Sequence, residues 1–337
     1  MTEKRRLVHA LFLIALPLIV AWFGLSTLTA LALVVLALLW RWAISLSGIA
    51  APERTPRLVL ETISASHFVE KVRWCMDRLG VDYTERQNAG VLGAAFIGRT
   101  VPKLKIRTGI VVSSLGNSPE ILRYLWGAYA GRPGTDASFL EPTPERLQLE
   151  KRIDRYGADL QVWVYYHLLL DRELGLHAWG ANSPLVPQWQ KLLLKPLFPV
   201  LAFFIRKSFS ITDEHYAKAV EHIDDMLGDV DTRLADGRKS ILGGSEINFV
   251  DIAFAAISGL WLQPQYYGGG KADACRIARN RVAGQMRADI ERWIEDYPKA
   301  SAFIMRLYAE ERLPGTTAQD AGQTEVVQGG ANTGAEQ

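Results

Sequence analysis

The chain has 337 residues, 49% hydrophobic and 22% charged, with a net charge of +2. That is longer than one compact domain usually is and predicts two domains with appendages. Its basic residues are spread out rather than gathered in runs interleaved with aromatics, so nucleic acid is not an expected partner. Cys75 and Cys275 lie far apart with no Cys or His near either, and the six histidines show no ligand-type spacing. Neither a disulfide framework nor a metal site is therefore expected.

Positions 7 to 40 carry no Lys, Arg, Asp or Glu. A bilayer core takes roughly 20 apolar residues per helical crossing. The run from Leu7 to about Leu46 is about twice that, interrupted by Gly24, Ser26, Thr27 and Thr29. Two short crossings fit, giving a transmembrane helical hairpin over residues 1–50. Lys4, Arg5 and Arg6 at one end, and Arg41, Arg54 and Arg57 at the other, flank an uncharged turn. The positive-inside rule then puts both ends in the cytoplasm and predicts an inner, cytoplasmic-membrane location with the soluble domains facing the cytoplasm. Trp22, Phe23, Trp40 and Trp42 stand where interfacial aromatics belong. A single tilted crossing would place the body on the opposite side. A cleaved signal peptide has a shorter apolar core, about 7 to 15 residues, and a buried helix pair would need a polar face that neither leg offers.

A Pro-rich linker, 51–56, leads to a domain expected over 57–131. Arg57–Ile63 alternates and reads as a strand, followed by a helix from about His67 to Leu79 that Gly80 stops. Val81–Arg86 reads as a second strand and Asn88–Gly98 as a short or irregular helix. Lys103–Arg107 and Ile110–Ser113 read as strands joined by a Thr108-Gly109 turn. Ser118 as N-cap and Pro119 at the first helical position start a helix to about Tyr129.

This order is that of a thioredoxin-like α/β domain, and three motifs within it resemble the glutathione S-transferase family. SHFVEKVRWCMDRLGVDY is similar to the family's first helix, which a Ser or Cys opens. TVPKL resembles its Val and cis-Pro loop, and NSPEILRYL its acid-Ser helix start. The resemblance implies glutathione as co-substrate. Ser66 would be catalytic, holding a thiolate at a helix N-terminus through the dipole and its hydroxyl. Val101 and Pro102, joined by a cis peptide, would pair the Val101 backbone with the extended tripeptide. Asn117 and Ser118 would hold the γ-glutamyl end. Asn117 departs from the acid usual there and lacks the ionic contribution of a carboxylate. His67 stands where family members often carry Pro and reads as an exposed first-turn residue, structural or a proton shuttle. Ser66 also fits a plain helix cap, and Cys75 a small core residue.

From about Pro144 the sequence is helical, giving an all-α domain over 143–313 before a tail, 314–337, that reads as disordered. Helices are expected over Arg146–Asp171, Thr212–Leu234, Asn248–Leu262, Cys275–Glu295 and Ala300–Glu311. Asn248 and Asp251 have capping-box spacing, with Ile247 and Ile252 as a staple, a folding role rather than a chemical one. By the resemblance, the electrophile would meet the first helix of this domain, where Tyr166 and His167 are substrate-binding candidates; aromatics at helical spacing equally suit a core. The segment from Leu185 to Ile211 is apolar and aromatic but punctuated by Lys191, Lys195, Arg206 and Lys207, and Pro196 and Pro199 predict that it is broken into pieces. It suits either the headgroup layer of a membrane or a fold back over the helical core.

Two functions remain open. One is a membrane-anchored glutathione transferase that conjugates or reduces a small apolar electrophile, with lipid as the other partner and either a homodimer or a tethered monomer as its state. The other is an inactive binding or scaffold protein of the same fold.

Overall fold

The computed structural model describes residues 27–50, 55–63, 65–97, 101–108, 111–282 and 284–312. The first leg and turn of the expected hairpin, most of the linker, the 109–110 turn and the tail from 313 lie outside them. By backbone contacts the chain divides into two compact units, one made of residues 1–59 with 105–114 and the other of 60–104 with 115–337.

The first unit holds helix α1, Thr27–Ala50. Leu28, Leu31, Leu36, Leu39, Trp40 and Trp42 are all exposed on it. Among the described residues no helix is long and apolar enough to cross a membrane.

A four-stranded sheet has the order β2-β1-β3-β4, from β1 (Arg57–Ile63), β2 (Tyr83–Asn88), β3 (Lys103–Thr108) and β4 (Val111–Gly116). With α2 (His67–Arg78), α3 (Gly90–Ile97) and α4 (Ser118–Tyr129) it follows the strand-helix-strand-helix-strand-strand-helix order expected of a thioredoxin-like domain. Gly80 terminates α2 at φ +63°, its N–H donating to the Asp77 carbonyl (3.0 Å). Val81 and Asp82 are used in leaving that cap, so β2 starts two residues later than the alternation suggested.

The second half is helical: α5 (Pro144–Leu168), α6 (Arg172–Ala178), α7 (Gln188–Ser208), α8 (Asp213–Arg233), α9 (Phe249–Leu262), α10 (Gly284–Asp296) and α11 (Pro298–Glu310). Its centre is α9, buried on every side except at Leu260. Such a helix is apolar all round because it has no solvent face to supply. The expected capping box is present. The Asn248 side chain accepts from the Val250 N–H (3.0 Å), and Asp251 accepts from the N–H groups of Asn248 (2.8 Å) and Ile241 (2.8 Å) and from the Ser240 hydroxyl (2.7 Å). Burial pushes the Asp251 carboxyl up, and these donors oppose the shift.

Two helical expectations are corrected. Pro196 and Pro199 lie inside one continuous helix, α7. The carbonyl that Pro199 deprives of its donor, that of Lys195, accepts from the Arg172 guanidinium instead (3.0 Å). Conversely, Cys275–Glu295 is not one helix, for 3-10 turns at Asp273–Cys275 and Arg279–Arg281 precede α10. Side chains from elsewhere claim the intervening backbone: Gln263 accepts the Ile277 N–H (3.1 Å), and His177 Nε2 meets the Arg276 carbonyl (3.0 Å).

Candidate functional site

Ser66 is the N-cap of α2. Its backbone is extended (φ −73°, ψ 123°) and its carbonyl accepts the Glu70 N–H (3.0 Å), opening the helix. Its hydroxyl makes no capping bond. The side chain is half-buried at an end where orphan N–H groups and the helix dipole favour an anion. The carbonyl of Ala65, just before it, accepts from the Tyr267 hydroxyl (3.1 Å).

His67 is buried, contrary to its expected exposure. Its Nε2 lies 2.9 Å from the Gly157 carbonyl on α5. A carbonyl only accepts, so Nε2 carries the proton. Burial lowers the His67 pKa to about 4, with the Gly157 bond opposing. The ring is therefore neutral near pH 7 and its donor is committed to packing rather than to proton transfer. A methyl group at Gly157 would stand 2.8 Å from Phe68 and 3.3 Å from that nitrogen, which is why glycine occupies the crossing.

Beneath this helix lies a set of buried charges that sequence pattern alone does not reveal. Glu70 pairs with Arg73 (3.1 Å) and Arg312 (2.7 Å), Arg73 with Glu85 (2.6 Å), Lys271 with Glu85 (3.5 Å), and Arg312 with Asp77 (2.8 Å). Burial opposes the charges of Arg73 and Arg312, but the neighbouring carboxylates outweigh it and hold both above the usual guanidinium range. On another side Lys71 reaches Glu150 (2.9 Å) and Asp154 (2.8 Å), and Arg123 reaches Glu150 (2.9 Å). Gly268 and Gly269, both in the left-handed region, let the backbone lie against Arg73 and Arg312; a Cβ on Gly269 would stand 2.5 Å from the Arg312 guanidinium. Cys75 is buried, as expected, and burial pushes its thiol up to about 12, which removes it as a nucleophile.

The Val101-Pro102 peptide is cis, with Val101 half-buried and Pro102 buried. It leads into β3, which neighbours in the sheet the strand that ends before Ser66. Asn117, not Ser118, is the N-cap of α4. It is exposed and holds φ +72°, a region that non-glycine residues seldom occupy away from turns and functional sites. Ser118 is the first helical residue, and its buried hydroxyl has no hydrogen-bond partner. An orphaned hydroxyl beside free helix N–H groups is a donor set suited to a carboxylate.

Tyr166 and His167 fall in a separate cluster. Tyr166 donates to Asp213 (2.9 Å) and stacks on Tyr216 at 4.2 Å between centroids. His167 Nε2 lies 3.9 Å from Asp289, which accepts from Trp163 (2.8 Å), Tyr216 (2.5 Å) and Gln285 (2.8 Å). Burial works against the Asp289 charge, but His167 and these donors hold the carboxyl at about 2. Along α5 the pair stands roughly 14 to 15 Å beyond Gly157, at about 1.5 Å per residue. Among the described residues no group of His, Cys, Asp and Glu is placed to hold a metal ion.

No family model matches the sequence, and no curated protein sequence matches it. Among solved structures the chain is similar to a rice glutathione transferase in complex with glutathione, at 16% identity over 83% of this chain and 100% of that one, with a TM-score of 0.37. It is similar to a theta-class glutathione S-transferase from Xanthomonas axonopodis pv. citri with glutathione bound, at 18% identity over 74% and 98%, TM-score 0.38. A Methylobacterium radiotolerans glutathione S-transferase in complex with glutathione sulfonate gives 17% identity over 78% and 96%, TM-score 0.42. These are distant likenesses of fold, and the architecture here, an α/β part with a cis-proline loop followed by helices, rests on the element order described above.

Proposed function

We propose that this chain is a membrane-associated, glutathione-transferase-like enzyme that binds glutathione beside Ser66 and Ser118 and attaches it to an apolar electrophile or reduces that electrophile with it. One observation carries the reading: two serines at helix starts keep hydroxyls that the fold does not use, Ser66 without a capping bond and Ser118 buried without a partner.

In this reading the thiol loses its proton to water, and the Ser66 hydroxyl donates to the resulting thiolate while the α2 dipole lowers its energy. The sulfur forms a bond to the electrophilic carbon as a leaving group departs with its electron pair. In the reductive variant a second thiolate then attacks the bound sulfur, releasing glutathione disulfide and a carbanion that takes a proton from water. The Val101 backbone would pair with the tripeptide, Pro102 shaping that loop. Ser118 would donate to the γ-glutamyl carboxylate, and Asn117 would accept from the ammonium without ionic help. Tyr166 and His167 would meet only the far end of an extended acceptor. The exposed apolar side chains of α1 support attachment through residues 1–50, with the catalytic body on the cytoplasmic face.

A scaffold reading is favoured by Asn117, which offers no charge to the ammonium. Thermal unfolding with glutathione separates the two. A Kd near 1 mM at 10 mM ligand stabilises by about 1.4 kcal/mol, a rise of about 3 to 5 °C. Asn117→Glu should enlarge it, and Ser66→Ala should retain it while lowering conjugation of an aryl halide at least about tenfold. No rise at 10 mM in either wild type or Asn117→Glu overturns glutathione binding, and a rise without any conjugation leaves the scaffold.

A further inference from the structure

Helix α7 has two opposed faces. Gln190, Leu194, Phe198 and Ile205 are buried. Gln190 fastens the helix to the end of β2, accepting from the Ala89 N–H (2.7 Å) and donating to Asn88 (2.8 Å), and Phe198 packs on Trp179 at 4.9 Å. About 200° around the helix, at 100° per residue, Leu192, Pro196 and Phe203 form one ridge and Trp189, Leu193, Val200 and Phe204 the next. Leu192 is 65% exposed, Phe203 61% and Phe204 57%. A contiguous apolar surface of this kind marks a contact site. The exposed cations Lys195 and Arg206 run along one edge of it, and Lys207 closes its end. From Gly175 to Thr212 the sequence has no Asp or Glu, and none of these three cations has an acidic partner among the described residues.

We propose that this face of α7 lies in the headgroup layer of an anionic lipid bilayer, parallel to the surface, with the two ridges in the acyl boundary and Lys195, Arg206 and Lys207 reaching lipid phosphates. Amphipathic helices with aromatic-rich apolar faces and basic margins bind in this way, and the sign of the uncompensated charge selects the anionic surface. The contact is independent of the thiol chemistry and separate from attachment through residues 1–50.

The test uses the full-length chain on vesicles of phosphatidylcholine alone or mixed with phosphatidylglycerol. Cys75 and Cys275 are both buried, so a polarity-sensitive dye couples selectively to Phe203→Cys or, as a second probe, Leu192→Cys. Both probes should shift to the blue on mixed vesicles and be quenched by acyl-brominated lipid, while Asp236→Cys in an exposed loop keeps its aqueous emission. Charge reversal at Lys195, Arg206 and Lys207 together should bring the mixed-vesicle signal down to that on neutral lipid, at roughly fivefold in partition per cation. Sedimentation with the vesicles reports attachment as a whole, and the dye reports this helix alone. Aqueous emission at 203 and 192 on vesicles that do carry the protein overturns the proposal. So does a blue shift without lipid that grows with protein concentration, because a second copy would then be the occupant.

Discussion

Replacing Arg312 by Met keeps the side chain's bulk and removes one charge from a buried network. Arg73, Lys271 and Arg312 balance Glu70, Asp77 and Glu85 in the wild-type network. After the change Glu70, fully buried, keeps Arg73 as its one charged partner among the described residues, and Asp77 keeps the Tyr83 hydroxyl, which donates to it at 2.7 Å. Removing one partner of a buried pair typically costs 3–5 kcal/mol because an uncompensated charge stays behind. The surviving bonds place this variant at the lower end, about 3 kcal/mol, which lowers Tm by about 6 to 12 °C. Tryptophan-detected thermal and urea unfolding of the full-length protein measures it. Adding Glu70→Gln removes the stranded charge and should recover about half of the loss, so a double-mutant cycle should show strong coupling. A single-variant loss below about 1 kcal/mol, or strictly additive changes, would refute the claim that the network is a charge-balanced unit holding α2.

Two further outcomes follow from individual side chains. His67 has a folded pKa of about 4 against 6.5 for the ordinary group, so between these values the unfolded chain binds the proton and the native one does not. The stability contributed above pH 6.5 is lost as pH falls toward 4, and at pH 5.5 the loss is about 1.4 kcal/mol; comparing urea midpoints at pH 7.5 and 5.5, His67→Gln should lack that increment, and an unchanged slope counts against a buried neutral ring. Asp251→Ala strands the Ile241 and Asn248 N–H groups and the Ser240 hydroxyl and should cost about 3 kcal/mol or more in urea unfolding. Asp251→Asn should cost less, and equal losses would mean that the acceptor oxygens are not what matters.

The parts of this fold that were legible beforehand are those that local chemistry determines. Gly80 stops a helix because only a residue without Cβ takes that φ cheaply, and Asn248 with Asp251 caps α9 because three-residue spacing brings side chain to backbone. The proline loop and the serines at 66 and 118 stand out only through the resemblance of their motifs to a family, and the cap that local chemistry assigned to Ser118 belongs to Asn117. Glu70, Lys71 and Arg73 were not legible, since charges on a helix ordinarily face water and their burial depends on Glu85, Glu150 and Arg312, the last 242 residues away. The burial of His67 has the same origin: its carbonyl partner lies 90 residues on. Pro199 lies within a helix in which Arg172 takes up the orphaned carbonyl of Lys195, and no periodicity encodes that.

The Tyr267 hydroxyl, arriving from 202 residues downstream to bind the Ala65 carbonyl, makes the geometry at Ser66 the joint work of both ends of the sequence. Grafting the first 130 or so residues onto a foreign helical half would therefore leave the loop before the serine without its peg. Recombination between relatives would have to transfer Tyr267, with the glycines beside it, as one inheritance with the serine it serves.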